Sequence, residues 1–267
     1  MTTAESHHAA PGAVRDAPSL RTVVAVELVK LRRGFPLWLS TVLPPVLVLP
    51  LGLIAAVSPE GRGGDVWGVW FGVTLMFWGI FHPMGAALYA AMSVRTDLAS
   101  RRLVYTYAFP RHRLLVGRFL ALLVLGLGSA ALLTVLLAAA GLLLAGPAAA
   151  AEAPVGVAVP WLAGAGTLAL CLAAAERWGT GACAAVGVAG MMLAATVADT
   201  AAGWFIPMAW PMRAVVPLAG IHANGVPLEP GDPLFTLAPL PVLAVLSLVL
   251  SAAALAAGAR HVNRKEL

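Results

Sequence analysis

Charged residues are scarce in this chain. They make up 11% of its 267 residues, while hydrophobic residues make up 60%, and a soluble domain of this size usually carries about 25% charged residues. The helices of a soluble enzyme need polar faces, and apolar runs of about 20 residues leave no room for them. The composition therefore excludes a soluble α/β enzyme and predicts an all-α integral membrane protein.

The sequence also lacks the motifs of several enzyme classes. Neither of its two lysines, Lys30 and Lys265, follows a glycine, whereas a Walker A loop needs glycine there so that its backbone can hold phosphate. No HExxH or GxSxG motif is present. Cys171 and Cys183 lie in apolar segments without a CxxC pattern, which is typical of small buried hydrophobic side chains. We therefore expect no cofactor in this chain and no ATP hydrolysis by a Walker A route.

Long apolar runs are what the sequence has instead. At about 1.5 Å per residue, about 20 helical residues cross a hydrocarbon core of about 30 Å. We predict six transmembrane helices: Leu37–Ala56, Trp67–Val94, Phe119–Ala145, Val155–Ala175, Gly181–Ile206 and Leu237–Gly258. Residues 146–154 are expected to form a turn, and residues 207–234 a partly embedded lid between the fifth and sixth spans.

Positive charge is confined almost entirely to one side of these spans. Five of the 17 Lys and Arg residues precede the first span, six lie between the second and third, Arg177 follows the fourth, and three end the chain. Only Arg62 and Arg213 fall on the other side. Because cytoplasmic loops carry the excess of Lys and Arg, we predict a multi-pass protein of the cytoplasmic membrane with both termini in the cytoplasm. The net charge of +5 then reflects topology in a lipid bilayer, and no nucleic-acid partner is expected.

A helix is predicted before the first span. Residues 1–18 are expected to be a disordered cytoplasmic lead, and residues 19–34 an amphipathic helix with Ser19 as its N-cap. Glu27 and Lys30 lie opposite its apolar side, so we expect it to lie in the inner membrane interface; a basic flank to the first span is the alternative. Its apolar positions are Leu20, Val24, Leu28, Leu31 and Phe35. Residues 35–258 are then the six-helix domain, and residues 259–267 a cytoplasmic tail.

Two titratable side chains inside predicted spans are candidates for a path through the membrane. His82 stands beside Pro83 in the second span, where it would relay a proton, contact a ligand or fill a kink as a neutral imidazole. Asp199 is the one carboxylate inside a predicted span, where a charge is costly unless it is hydrated or paired. It lies in the last third of its segment, so a position in the outer interface is the alternative.

The loop between the second and third spans mixes arginine with aromatic side chains. It reads SVRTDLASRRLVYTYAFPRHRLLVGR over residues 93–118. We predict a short helix that Thr96 caps and Pro110 ends. Asp97 suits the N-terminus of that helix and would pair with Arg101, four residues later.

The aromatic residues of the loop favour a contact with another protein. Tyr105 and Phe109 are four residues apart and would share a helix face. Aromatic anchors surrounded by arginine, here Arg101 and Arg102, are the composition of interface hot spots. The alternative is a basic loop that contacts lipid headgroups only.

The pattern as a whole resembles the permease subunits of ABC-2 type exporters. The resemblance rests on the six spans, on VELVKLRR at residues 26–33, and on DLASRRLVYTYAFPRHR at residues 97–113. In that family the loop after the second helix commonly has an acidic residue, an apolar stretch and Pro-x-x-Arg, which here are Asp97, Pro110 and Arg113. The chain is most similar to the branch that includes lantibiotic-immunity permeases.

The resemblance implies a division of labour between subunits. The chain would be a permease without its own ATPase, working with a separate ABC ATPase subunit that binds the ATP and with a second permease copy or paralogue. The ATPase-coupling loop that it implies consists of Asp97, Arg101, Arg102, Tyr105, Phe109, Pro110 and Arg113.

Two other classes fit the same composition. One is a membrane-embedded enzyme, such as a lipid-modifying transferase, that brings His82, Asp199 and His222 close together. The other is a membrane scaffold or sensor that transports nothing.

Overall fold

The structure, a computed structural model, describes residues 18–59, 65–97 and 111–264. Within these ranges the chain forms helices and turns and no strand; the one β-bridge pairs Ile221 with Pro227. The α-helices, numbered here in chain order, are α1 Leu20–Leu31, α2 Phe35–Val57, α3 Val66–Asp97, α4 Arg111–Leu144, α5 Pro147–Ala163, α6 Ala165–Trp178, α7 Thr180–Val197, α8 Trp210–Ala219 and α9 Pro239–Arg264. Three short 3-10 helices span Ala201–Trp204, Pro207–Ala209 and Pro233–Phe235.

Six helices are long and apolar enough to cross a membrane, which confirms the predicted number and helical class of the spans. They are α2, α3, α4, α7, α9 and the continuous pair α5–α6, which runs from Pro147 to Trp178. Together they define a multi-pass membrane protein. The large exposed apolar side chains on α2, α4, α7 and α9 suit contact with lipid.

The two ends of the bundle are named here by what they carry. The loop end is where α3 ends at Asp97 and α4 begins at Arg111. The cap end is the opposite one, where residues 198–238 connect α7 to α9. Because successive spans alternate in direction, α6 ends at the loop end and α7 ends at the cap end.

The helix α3 is the centre of the bundle. It packs against α2, α6, α7 and α8, and side chains along its whole length are buried. One hydrophobic cluster around Leu75, Trp78 and Leu133 fills the cap half. A second cluster around Val94 and Leu122 fills the loop half. Cys171 and Cys183 are free and buried in the second cluster, as the sequence predicts.

The prolines of α2 do not end the helix. Pro44, Pro45 and Pro50 lie inside it, each without the N–H that a helix would use. Neighbouring side chains supply polar contacts along this stretch: Trp70 Nε1 donates to the Val48 carbonyl at 2.9 Å. The Ser40 hydroxyl donates to the Pro36 carbonyl at 2.8 Å. Trp70 of α3 thus makes a polar contact with the proline-rich part of α2 from a neighbouring helix.

The fourth span begins earlier than predicted and is broken in its middle. Residues 147–154, expected as a turn, are the start of α5, because Pro147 fits the first turn of a helix and alanines follow it. At Gly164 the chain passes from α5 to α6. Both changes follow from local chemistry that a hydropathy window does not resolve.

The helix α1 packs against the rest of the protein through a side that includes Glu27, which the sequence predicts to lie opposite the apolar side. Its N-cap is as predicted, since the Ser19 hydroxyl accepts a hydrogen bond from the Thr22 N–H at 3.2 Å. The residues it buries, however, are Val23, Glu27 and Leu31, and it packs on α4. The expectation that Glu27 lies on the solvated side is wrong, because charged groups on α3, α4 and α6 surround it, as described next.

Candidate functional site

Five charged side chains form a cluster at the loop end of the bundle. They come from four helices that are distant in sequence, and we call them the ionic cluster: Glu27 and Lys30 of α1, Asp97 of α3, Arg118 of α4 and Glu176 of α6. The cluster thus joins the last residue of α3 to three other helices.

Arg118 is the centre of the ionic cluster. Its two terminal nitrogens donate to Glu176 and to Asp97, and its Nε lies 3.7 Å from Glu27 Oε2. Lys30 completes the arrangement from the outside, with its Nζ 2.7 Å from Glu27 Oε1 and 2.6 Å from Asp97 Oδ1. Each carboxylate therefore lies against at least one cation.

These contacts matter for stability because the charged groups are buried. The side chains of Arg118 and Glu27 are 3% and 2% exposed. A charge that is taken out of water loses several kcal/mol of hydration, and removing one partner of a buried pair typically costs about 3–5 kcal/mol. The four helices are therefore joined by charged contacts at this end of the bundle.

The predicted coupling loop is divided between described and undescribed residues. Asp97 lies in the ionic cluster, and Arg113 lies in the first turns of α4, where its Nη1 donates to the Pro18 carbonyl at 3.4 Å. The prediction that Thr96 caps a separate helix is wrong: α3 continues through it, and its hydroxyl donates to the Met92 carbonyl at 2.8 Å. The other loop residues fall outside the described ones: Arg101, Arg102, Tyr105, Phe109 and Pro110.

His82 lies at the break between α5 and α6. A Cβ placed on Gly164 would stand 1.9 Å from His82 Nε2, so the imidazole occupies the space that the glycine leaves. Trp78 contacts the ring edge-on, with centroids 6.1 Å apart. His82 thus occupies the space beside Gly164 of the neighbouring span, whereas the kink expected from the sequence lay beside Pro83 in its own helix.

A small cavity of about 40 Å³ adjoins His82. Tyr89 and Ser129 also line it. A buried water needs about 10–15 Å³, so the cavity has room for about three.

Asp199 lies beyond the end of a span, at the cap end. The helix α7 ends at Val197, nine residues before the predicted end at Ile206. The Arg213 side chain explains this end, because its Nη1 donates to the Ala198 carbonyl at 2.7 Å and to the Thr200 carbonyl at 2.6 Å. The description of Asp199 as a carboxylate inside a span is therefore wrong.

Asp199 and His222 are brought together. Asp199 Oδ2 lies 3.0 Å from His222 Nδ1 and accepts a hydrogen bond from the Ala223 N–H at 3.3 Å. His222 Nε2 lies 3.9 Å from Asp232 Oδ2. The third residue of the proposed enzyme site, His82, lines a different cavity that shares no residue with the one at Asp199.

Arg213 stands over the same region of the cap end. Its guanidinium lies 4.3 Å from the centre of the Trp204 ring. Burial lowers the pKa of Arg213, and the negative charge of Asp199 opposes that shift. An arginine stays protonated in proteins all the same, so a positive charge is held in a partly dehydrated place.

The predicted lid contains a packed helix. In α8 the buried side chains include Trp210, Met212 and Val215, and α8 packs on α3 and α5. A Cβ on Gly79 would lie 2.9 Å from the Met212 Cα, so α8 and α3 are in backbone contact there.

Sequence reasoning did not select Glu27, Arg118, Glu176 or Arg213 as site residues. The signal available for Arg118 was its position: it stands next to the predicted start of an apolar span, eight residues after Pro110. An arginine at the edge of a membrane span needs carboxylates or other polar groups as partners. Which carboxylates supply them depends on helix packing, which the sequence does not display.

The described residues hold no group of three or more His, Cys, Asp or Glu side chains suited to a metal ion. Fold and site together thus define the class: a six-span helical membrane protein whose helices are tied by an ionic cluster at one end. No family model, curated protein or solved structure matches this chain.

Proposed function

We propose that this chain is the permease subunit of an ATP-driven exporter of the ABC-2 type. It moves a hydrophobic or peptide-like compound out of the cytoplasm or the membrane. A separate ATPase subunit supplies the energy, and a second permease copy or paralogue completes the transporter. The chain lies in the cytoplasmic membrane with both termini, the loop end and the interfacial helix α1 on the cytoplasmic side.

The ionic cluster is the observation that carries this proposal. A permease driven from outside needs a rigid connection between the surface that receives the motion and the helices that must move. The coupling loop, residues 97–113, begins at Asp97, and Asp97 contacts Lys30 and Arg118 directly. Through Arg118 and Glu176 the connection continues to the fourth span.

Charge and sequence support the same direction of action. The loop end carries almost all of the chain's Lys and Arg residues, as expected of a cytoplasmic surface. The sequence contains no Walker A motif, and the proposal therefore assigns ATP hydrolysis to a separate subunit. The aromatic pair Tyr105 and Phe109 offers an anchor for it on the coupling loop.

Affinity purification from the native membrane tests the proposal. We expect the tagged chain to bring with it a protein that has a Walker A motif and hydrolyses ATP. The double variant Tyr105→Ala, Phe109→Ala should insert normally and lose that protein together with transport, because losing hot-spot side chains costs about 2 kcal/mol or more each.

Trp178→Ala is the matched control. It removes a 66% exposed aromatic side chain at the same end of the bundle, and it should leave the ATPase bound. Normal ATPase recovery and transport in the double variant would refute the coupling role of the loop. Absence of any ATPase from the unaltered complex would refute the exporter proposal itself.

A further inference from the structure

The cap end contains a cavity lined by two opposite charges that do not form an ion pair with each other. It measures about 140 Å³ and has Asp199 and Arg213 among its lining residues. Both residues are fully described, and no salt bridge within 4.0 Å joins them in the described part of the chain. Both charges therefore line the cavity without a direct ion pair between them, and each would attract a bound group of the opposite charge.

Asp199 has unused capacity to accept hydrogen bonds. A carboxylate offers about four acceptor positions. The described partners of Asp199, His222 and the Ala223 N–H, both lie at Oδ2. These two contacts also fix the carboxylate in place, so Oδ1 is oriented and available.

Arg213 has unused capacity to donate. A guanidinium has five N–H groups. Both of its described hydrogen bonds leave from Nη1, and Nε is buried without a partner among the described residues. The Trp204 ring holds the plane of the guanidinium at 4.3 Å, so the free edge of the group is also oriented.

The remaining walls of the cavity are mainly apolar. Val216, Pro217 and Leu234 contribute to them. A cavity of about 150 Å³ accommodates benzene, so this one suits an apolar body of a few carbon atoms. A ligand that satisfies the whole cavity has one positive group, one negative group and a short apolar side chain.

We propose that this cavity binds a small zwitterion of the size of valine, with its ammonium group on Asp199 and its carboxylate on Arg213. An amine alone would contact only Asp199, and a carboxylate alone would contact only Arg213, so neither would use both charged side chains of the cavity. His222 and Trp204 act as positioning residues, since they hold the two charged groups and do not contact the ligand.

The inference does not rest on ATP-driven export. Binding is measured on the purified full chain in lipid nanodiscs, without an ATPase, so its failure leaves the exporter proposal standing. Loss of ATPase recruitment, in turn, leaves this site unaffected, because the coupling loop lies at the other end of the bundle.

Equilibrium binding of radiolabelled L-valine, with competition by two analogues, tests the proposal. Isovalerate lacks the amine of valine, and isobutylamine lacks its carboxylate. We expect saturable valine binding, and competition by each analogue at least about tenfold weaker than by unlabelled valine, because each has lost a charge-assisted hydrogen bond. Absence of saturable binding at about 10 mM, or equal competition by the three compounds, overturns the proposal.

Two substitutions test whether valine binds in this cavity. Asp199→Asn should weaken valine at least about tenfold and leave isovalerate unchanged, since only the ammonium contact is lost. Glu152→Gln, which neutralises an exposed carboxylate on α5 near the same end, should bind valine normally. Unchanged valine affinity in Asp199→Asn refutes the site.

A second variant covers the case in which Asp199→Asn does not fold. Thr236 is exposed and lines the cavity, so Thr236→Phe fills the cavity without disturbing a buried side chain. It should abolish valine binding with an unaltered unfolding temperature. Normal binding in this variant also refutes the site.

Discussion

Gly164 is a glycine for reasons of space, not of backbone conformation. Its φ and ψ are −87° and −7°, which other residues adopt as well. What excludes a side chain is His82, whose Nε2 would stand 1.9 Å from a Cβ at this position. The histidine of the second span is therefore the reason why position 164 holds a glycine.

We predict that Gly164→Ala destabilises the protein by about 1–3 kcal/mol, the usual cost of overpacking. The measurement is the thermal unfolding midpoint of the purified protein in detergent. Gly85→Ala is the control, because a Cβ there meets nothing within 4 Å, and alanine in a helix is slightly more stable than glycine.

In a His82→Ala background, Gly164→Ala should destabilise the protein much less. The difference between the two backgrounds is the coupling between the positions. An equal loss of stability in both would show that the histidine is not what excludes the side chain.

For single residues, the sequence predicts contacts within one helix better than contacts between different helices. The Ser19 cap depends on residues three apart and is confirmed. The partners of Glu27 are Lys30, three residues later, and Arg118, on another helix. The sequence offered only the first, so a buried residue was interpreted as a solvated one.

The helices α1 and α4 are in close contact at Gly117. Gly117 lets the two helices approach closely, since a Cβ on it would lie 3.1 Å from the Val23 Cβ and 2.5 Å from its Cγ1. The structure therefore has α1 docked on the protein through Val23 and Glu27, whereas an interfacial helix held by lipid alone would have no fixed partner.

We predict that Val23→Cys with Gly117→Cys forms a disulfide under mild oxidation in membranes. A disulfide needs Cβ atoms about 3.5–4.5 Å apart, and a small shift meets that distance. The readout is the loss of maleimide labelling after oxidation, in a chain whose Cys171 and Cys183 are replaced by alanine.

Val26→Cys with Gly117→Cys is the matched pair. Val26 lies on the same helix but is 54% exposed, so this pair should stay reduced. Similar oxidation of both pairs would mean that α1 rotates or detaches.

Element boundaries show what hydropathy can predict. The six spans are recognised because each is a long apolar run. Their ends depend on contacts between distant residues: just after α7 ends at Val197, the carbonyls of Ala198 and Thr200 accept hydrogen bonds from Arg213 of a later helix. Hydropathy does not predict the helix α8, because it has only 10 residues and two of them, Pro211 and Pro217, are prolines.

The orientation of the whole molecule follows from charge and not from packing. Helices pack in the same way whichever end faces the cytoplasm, whereas the distribution of Lys and Arg differs sharply between the ends. Topology is thus a prediction at the scale of the whole chain.

We predict that a cysteine at Asn224 reacts with a membrane-impermeant maleimide in intact cells, and that one at Arg177 does not. Both positions are exposed, one at the cap end and one at the loop end. Native Cys171 and Cys183 are fully buried and should contribute little signal. Labelling at Arg177 from outside, with Asn224 silent, would invert the proposed orientation.

The ionic cluster also has a consequence for how the chain is made. Glu176 follows Arg118 by 58 residues, so at about 5–20 residues per second the arginine leaves the ribosome several seconds before that partner exists. During that interval its charge must stay in water, because membrane burial without all of its partners is costly. We therefore expect the third span to stay at a shallow depth until the fourth is made, so that the two helices reach their final positions together.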